Sequence, residues 1–359
     1  MDRAGAGTVA QAGLGQQESG KPVSLLARAP SSVLLPDGTA ATGRYEGRIA
    51  RLDWGGLAAA DRRPFWWRTL RHKRWQYLGI GSQHLFVGLA IVDLGWGCTA
   101  FAYLFERGSR TLLADWSQDG IKGWSGAVSD APVTGSRVHF RGPGARLSWQ
   151  HDARSDSLHV HVAVPGLALE ATVSLSDAPP LLLAIGPIGE AGDGLAHATQ
   201  KTSALPVQGW AQAGGQRFDL ANAVASLDSS HGLLAHCTAW QWACAHRPGL
   251  GFNLQAGYFG AHENALWLDG QLIPLGAARF DFDAADPLAP WRVRTDDGLL
   301  DLDFQPEGAR GEQRNLGLVA SRYVQPVGTF SGYVRASDGA APRPVHDLLG
   351  VTEDHSSRW

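Results

Sequence analysis

Cysteine is scarce in this 359-residue chain: Cys98, Cys237 and Cys244 are an odd number with no Cys-x-x-Cys spacing. Such a set makes no disulfide framework, and it points to a reducing, cytoplasmic location. Lysine is scarce too, with Lys21, Lys73, Lys122 and Lys201 against a background of arginine, a bias that carries no functional weight by itself. Long apolar runs are absent: no stretch approaches the roughly 20 residues a membrane helix needs, so no integral membrane segment is expected. The opening "MDRAGAGTVAQAGLGQQESG" has an acidic start and no apolar core, so it does not read as a signal peptide. Residues 1–30 are too poor in large apolar groups to pack, and a disordered leader is expected there. Blocks of like charge are also missing, and the net charge is only −3. That weighs against nucleic acid or an anionic membrane surface as the main partner.

Several catalytic signatures are missing as well. The chain has no GxxxxGK(S/T), no GxSxG, no HExxH and no GxGxxG opening a helix after a strand. Nucleotide hydrolysis, α/β-hydrolase chemistry and zincin chemistry are therefore disfavoured.

What remains is a sequence of short apolar runs separated by turns, the pattern of an all-β chain. "SLHVHVAVPG" alternates strictly, with Leu158, Val160, Val162 and Val164 on one face and the solvent-facing pair His159 and His161 on the other. "HLFVGLAIVDL" is apolar on both faces and reads as a fully covered strand. "LWLDGQLIPL" carries a two-residue Asp-Gly hairpin signal at Asp269-Gly270. The one candidate helix, near 57–70, is interrupted by Pro64. Fourteen tryptophans and twelve phenylalanines, many at alternate strand positions, suit barrels with a wide aromatic-lined interior better than a thin sandwich.

"HCTAWQWACAH", residues 236–246, suggests a metal or thiol site. As a strand it places His236, Thr238, Trp240, Trp242, Cys244 and His246 on one face. His236 and Cys244 then lie roughly 26 Å apart, at ~3.3 Å per residue, far beyond the reach of one ion. The stretch reads as a wall, with Trp240 and Trp242 as ligand contacts, and no metal site is expected. In "GAHENALWLDG", Glu263 stands beside His262 at the mouth of a hairpin, where a desolvated carboxylate would serve as general acid or base. The closing "VTEDHSSRW" groups Glu353, Asp354 and His355. A chain terminus is usually mobile, so this group matters only if it docks.

Six segments in register, among them "RWQYLGIGSQHLFVGLAIVDLGW", "ENALWLDGQ" and "DLLGVTEDHSSRW", resemble the domain-of-unknown-function family numbered 2804, from about residue 25 to the C-terminus. More distantly the chain is similar to the carotenoid 1,2-hydratase and AttH group. That resemblance implies two tandem antiparallel lipocalin-like (calycin-type) β-barrels or strongly curved sheets, divided into 31–205 and 206–359. It also implies an apolar small-molecule substrate and no cofactor. Where the family carries an Asp-Trp-Gly-Arg-Gly-like segment, this chain reads "LDSSHG", keeping Asp228 and placing Ser229 and His231 at the other positions. The candidate catalytic residues are Asp228, His231 and Glu263, with Asp354 a further acid to test. The candidate ligand contacts are Trp240, Trp242, His236, Asn253 and Trp267. A lyase or isomerase working by acid catalysis, a non-catalytic carrier or sensor of lipophilic ligands, and a purely structural role all fit these residues. No signal for an oligomeric state is present.

Overall fold

The computed structural model describes residues 25–59, 61–188, 193–315 and 320–359; the expected leader lies outside them up to residue 24. Nearly all regular structure is strand. The first sheet begins with β1 (Ala27–Arg28) and β2 (Gly43–Glu46), followed by the helix α1 (Phe65–Arg71). Next come β3 (His72–Gly81), β4 (Leu85–Asp93), β5 (Cys98–Glu106) and β6 (Thr111–Gly120). A run of hairpins follows: β7 (Gly126–Val128), β8 (Arg137–Gly142), β9 (Ala145–Asp152), β10 (Ser157–Val164) and β11 (Leu167–Ser174). The sheet is completed by β12 (Leu182–Pro187), β13 (Ala196–Lys201), β14 (Leu205–Ala213), β15 (Gln216–Asp219) and β16 (Val224–Leu233).

This sheet forks at β16. One edge of β16 pairs along its whole length with β3, which leads on to β4, β5 and β6. The other edge is shared: Asp228–Gly232 pair with β13, and Val224–Ala225 pair with β14. Beyond β14 the order runs through β11, β10, β9 and β8 to β7. The sheet curls so that β3–β5 face β8–β11 across a core that includes Leu78, Leu89, Leu104, Trp149, Val160 and Leu169. Inside it, Gln76 accepts a hydrogen bond from the Trp149 indole at 2.6 Å and donates to Ser136 and Ser229 at 3.0 Å. Its carboxamide is therefore fully used, as a buried polar group requires.

The chain passes to the second sheet between Leu233 and Cys237. Its strands are β17 (Cys237–Arg247), β18 (Leu250–Gly257), β19 (Ala265–Leu268), β20 (Gln271–Pro274) and β21 (Ala278–Asp281). β22 (Trp291–Thr295), β23 (Leu300–Asn315), β24 (Ala320–Val334) and β25 (Arg343–Arg358) follow. The order is β20-β19-β18-β17-β25-β24-β23-β22-β21, curled round Phe252, Trp291, Phe304 and Phe330. The chain is thus two antiparallel, lipocalin-like curled sheets in tandem. The 205/206 division falls at the start of β14, inside the first sheet. Strand rhythm does not reveal which sheet a strand joins, and β14 to β16 return to the first.

Three local details differ from, or refine, the sequence reading. Asp269 and Gly270 both have positive φ, 50° and 81°, the type I′ geometry that a two-residue Asp-Gly hairpin uses. Pro64 does not spoil the helix but precedes it, where its fixed φ and missing N–H are tolerated. The C-terminal tail is not mobile. It is β25, a central strand hydrogen-bonded to β17 on one side and β24 on the other.

Strand parity decides what lies between the sheets. On β17, Ala243 and Ala245 face the core of the second sheet, while Trp242 and Cys244 face the first sheet. There they meet Tyr77, Phe86, Tyr103 and Phe105 from β3, β4 and β5. The two sheets therefore share an aromatic seam.

Candidate functional site

The polar centre of that seam is Lys201, the last residue of β13 and 3% exposed. Its Nζ lies 2.6 Å from Asp228 Oδ2, its cross-strand neighbour on β16, and 3.2 Å from Glu263 Oε2. Glu263 comes from the other sheet, on the loop between β18 and β19. Burial works against the ammonium charge, but the Asp228 and Glu263 carboxylates outweigh it and hold the Lys201 pKa above its ordinary value.

The two carboxylates are not equivalent. Asp228 sits closer to Lys201 and also accepts hydrogen bonds from Thr199 Oγ1 at 3.1 Å and Ser230 Oγ at 2.8 Å. Glu263 has only the Asn253 amide beside its carboxylate, at 3.5 Å, and Asn253 donates better to the Glu263 backbone oxygen at 3.0 Å. One cation is thus shared by two anions. Burial, opposed by Lys201 and reinforced by Asp228, pushes the Glu263 carboxyl above its usual range. Asn253 also accepts the Trp242 indole N–H at 2.9 Å, which fixes the tryptophan against the cluster.

A third carboxylate lies further along the seam. Glu353 on β25 accepts from the Trp240 indole and from Gln325 Nε2, both at 2.9 Å. Gln325 in turn accepts from the Tyr103 hydroxyl and, at 3.4 Å, from that of Tyr77. Tyr258, on the loop after β18, packs edge-on to Trp240 with ring centroids 5.6 Å apart. Burial, and then the carboxylates of Glu263, Asp228 and Glu353, push its phenol well above the usual range. Tyr258 also lines an open cleft of about 850 Å³ at the ends of β17, β24 and β25, so it stands between that cleft and the buried cluster.

Two buried side chains beside the cluster lack partners. His197 is on the same face of β13 as Lys201, fully buried, and neither ring nitrogen makes a hydrogen bond. Its ring stacks on Trp75 and meets Phe259 edge-on with centroids 4.5 Å apart. Burial, then the Lys201 charge, keeps it neutral well below the usual histidine range. Gln255, opposite Trp242 on β18, is 3% exposed with both amide atoms unpaired. An unmade hydrogen bond on a buried group costs about 1–3 kcal/mol, so a polar group brought against these four atoms would be bound favourably.

Of the residues singled out in the sequence, Asp228, Glu263, Asn253 and Trp242 meet at this cluster, and Trp240 is one step along the seam. The others are elsewhere. His231 is three residues from Asp228 on the same strand and so faces the opposite side. There its Nδ1 lies 3.0 Å from the Leu52 carbonyl oxygen and its own carbonyl accepts from the Trp54 indole. His236 is exposed in the link between the sheets, its backbone N–H bonded to Asp193. Trp267 is buried at the far end of β19, donating to the Pro180 carbonyl at 2.6 Å. Asp354 points to the other face of β25, where it pairs with Arg322 and Gln241. Lys201, His197 and Gln255 were missed. The signal for Lys201 was its isolation: with four lysines in the chain, one inside the uncharged strand "AHATQKTSALP" has little reason to be there for solubility.

His231 gives a stability prediction. Burial, then the Arg74 charge, lowers its pKa to about 4. The folded state therefore refuses a proton that the unfolded chain accepts below 6.5. The His231 contribution is complete above pH 6.5 and is lost as pH falls towards 4, by about 3 kcal/mol at 1.36 kcal/mol per unit. Urea unfolding of the wild type and of His231→Asn at pH 7 and pH 4.5 checks this: the variant should show the smaller loss.

Two of the three thiols are buried and held in the protonated form. Burial raises Cys98 to about 11 and Cys244 further still, whereas Cys237 is exposed. A disulfide reagent should titrate one thiol rapidly in the native protein and three after denaturation. Among the described residues no cluster of three or more histidines, cysteines or acids has metal-binding geometry.

The family model described as domain of unknown function DUF2804 matches residues 26–359. No curated protein matches the sequence. Solved structures share the fold at low identity. Kievitone hydratase from Nectria haematococca is 10% identical with a TM-score of 0.53, covering 81% of this chain and 90% of that one. An AttH-like protein of Nitrosomonas europaea is 15% identical with a TM-score of 0.53, over 79% and 92%. CghA with Sch210972 is 12% identical with a TM-score of 0.55, over 93% and 98%.

Proposed function

The chain belongs to the DUF2804 family, and from that premise we propose that it is a cofactor-independent lyase or isomerase of the hydratase or cyclase kind. Its substrate is a largely apolar small molecule held in the seam between the sheets. The observation that carries this reading is the convergence of Asp228 and Glu263, from different sheets, on buried Lys201 beside Trp242. Glu263, with its raised pKa, is the proton donor to a substrate double bond. The cation formed lies against the faces of Trp242, Tyr77 and Trp240, where ring quadrupoles stabilise it. Water then adds to the cation, or a new internal bond closes, and Asp228 accepts the proton released. His197 and Gln255 offer hydrogen bonds to a polar substituent or to the attacking water. The likeness to kievitone hydratase supports the fold such chemistry uses.

A second reading is a carrier of lipophilic ligands in the cytoplasm. It is favoured by the mutual satisfaction of Lys201 and its two carboxylates, which leaves the triad complete without a substrate.

One experiment separates the two. Small molecules are extracted from the purified protein, identified by mass spectrometry and incubated with fresh protein. Conversion by the wild type, falling by about 10²–10⁴ in Glu263→Gln and in Asp228→Asn while binding persists, is the expected result. A compound recovered unchanged after prolonged incubation removes the enzyme reading, and conversion by both variants at the wild-type rate removes Glu263 and Asp228 from it.

A further inference from the structure

We propose that one end of the first sheet is a membrane-contact face that seats on an anionic lipid bilayer. Three segments build it. α1 presents Phe65, Trp66 and Leu70, which are 86%, 63% and 46% exposed. The turn between β4 and β5 presents Trp96, and the turn between β6 and β7 presents Ile121 and Trp124, at 45%, 68% and 88%. These are six of the nine large apolar side chains exposed among the described residues, so the exposure is concentrated and not scattered.

The three segments are held together. Gly95 packs so closely on the end of α1 that a Cβ there would lie 1.9 Å from the Thr69 carbonyl oxygen. Asp93 ties the two turns: its Oδ1 accepts the Gly95 N–H at 2.8 Å and pairs with Lys122 at 3.4 Å. Cys98 and Gly120, which flank the turns, are cross-strand partners.

Charge identifies the occupant. Arg62, Arg63, Arg68 and Arg71 lie just before or within α1 and Lys122 lies in the β6–β7 turn, with Asp61 the one acid in the stretch 61–71. Asp93 pairs with Lys122, Asp193 with Arg71 and Asp119 with Arg314, so the excess positive charge of the face comes from Arg62, Arg63 and Arg68 set against Asp61. A second copy related by a two-fold axis would set this basic rim against itself, and like charges would face each other. An anionic bilayer meets it with the opposite sign. Protruding tryptophans suit the headgroup level, where an apolar ring with one N–H is at home. α1 is a single short helix that lies on the surface, and no described helix is long and apolar enough to cross a membrane. None of the six side chains belongs to the Lys201 cluster, so the proposal stands apart from the catalytic reading and is tested without any substrate.

The test is flotation of the purified chain with vesicles. The wild type is expected to float with phosphatidylcholine and phosphatidylglycerol in equal parts, more weakly with phosphatidylcholine alone, and less at molar salt. Trp66→Ser/Trp124→Ser should lower partitioning by about tenfold or more at an unchanged melting temperature. Arg62→Ser/Lys122→Ser, at exposed positions, should abolish the preference for the anionic lipid while leaving the weaker binding to the neutral one. A wild type that does not float overturns the proposal, as does full binding by the tryptophan variant. So does a wild-type dimer that Trp66→Ser/Trp124→Ser converts to monomer, which would make the patch a self-association face.

Discussion

Replacing Lys201 by methionine should destabilise the chain by about 3–5 kcal/mol at neutral pH, the usual result of removing one partner of a buried charge pair. The large value follows from what is left behind. Asp228 and Glu263 remain buried with no cation between them, and their attraction to Lys201 turns into mutual repulsion. In wild type the raised Lys201 pKa means its contribution is present at every pH below its ordinary 10.5 and is lost only as pH rises through the folded value. In the variant the penalty belongs to ionised carboxylates. It is greatest above the raised Glu263 pKa, shrinks as pH falls through that value, and is gone below the ordinary 4.5 of a glutamate. The difference between variant and wild type, measured by urea unfolding at each pH, should therefore narrow on acidification. The triple variant Lys201→Met/Asp228→Asn/Glu263→Gln should recover most of the loss, because it removes the buried charge entirely. A single variant within 1 kcal/mol of wild type at neutral pH would mean that water, not Lys201, neutralises the pair.

The second large effect is expected at Arg310→Met, with a loss of about 3 kcal/mol and a loosened seam. Arg310 is on β23 and 2% exposed, yet it reaches the first sheet. Its Nε donates to Asp115 on β6 at 2.8 Å, and its Nη2 donates to Glu312 at 2.9 Å. The guanidinium lies 4.4 Å from the centre of the Phe101 ring and 5.3 Å from that of Tyr323. Methionine fills much of the same volume, so the loss is in charge-assisted hydrogen bonds and cation–π contact, each worth roughly 1.5–3 kcal/mol when desolvated. Asp115 and Glu312 keep part of their solvent, at 38% and 25% side-chain exposure, which moderates the cost. Arg107 to Glu307, at 2.8 Å, is a separate clasp between the sheets and should survive. Hydrogen exchange in β6 and β23 should rise in the variant while that in β9 and β10 stays as in wild type. Uniform change across both sheets would place Arg310 in the global core instead of at the seam.

Much of the fold was legible because alternation is local. Val160 and Val162 inward with His159 and His161 outward required only period-two parity, and the Asp269-Gly270 hairpin only the turn chemistry of two residues. Parity alone also separates Asp228 from His231. Membership of a sheet is not local: β14 and β16 read like any strands of the second half, and only their partners return them to the first sheet. The tail was misjudged for the same reason, since nothing within "VTEDHSSRW" states that β17 and β24 will cover both of its edges. For the site, the chemistry of Asp228 and Glu263 could be named, but their meeting depends on a lysine lying between two sheets. A net charge of −3 concealed the arginines of 62–71, because opposite charges elsewhere in the chain average them away.

The central claim is that the buried Lys201–Asp228–Glu263 cluster is the chemical centre of a small-molecule site between the sheets. A crystal structure of the wild type loaded with its extracted compound tests it most directly. The predicted result is the compound in the seam against Trp242 and Tyr258, within hydrogen-bond reach of Glu263 or Asp228, and with His197 or Gln255 bonded to one of its polar atoms. A compound seated only in the open cleft lined by Thr238 and Arg322, or on the outer face of β8–β11 beside Arg137 and Trp210, would contradict it.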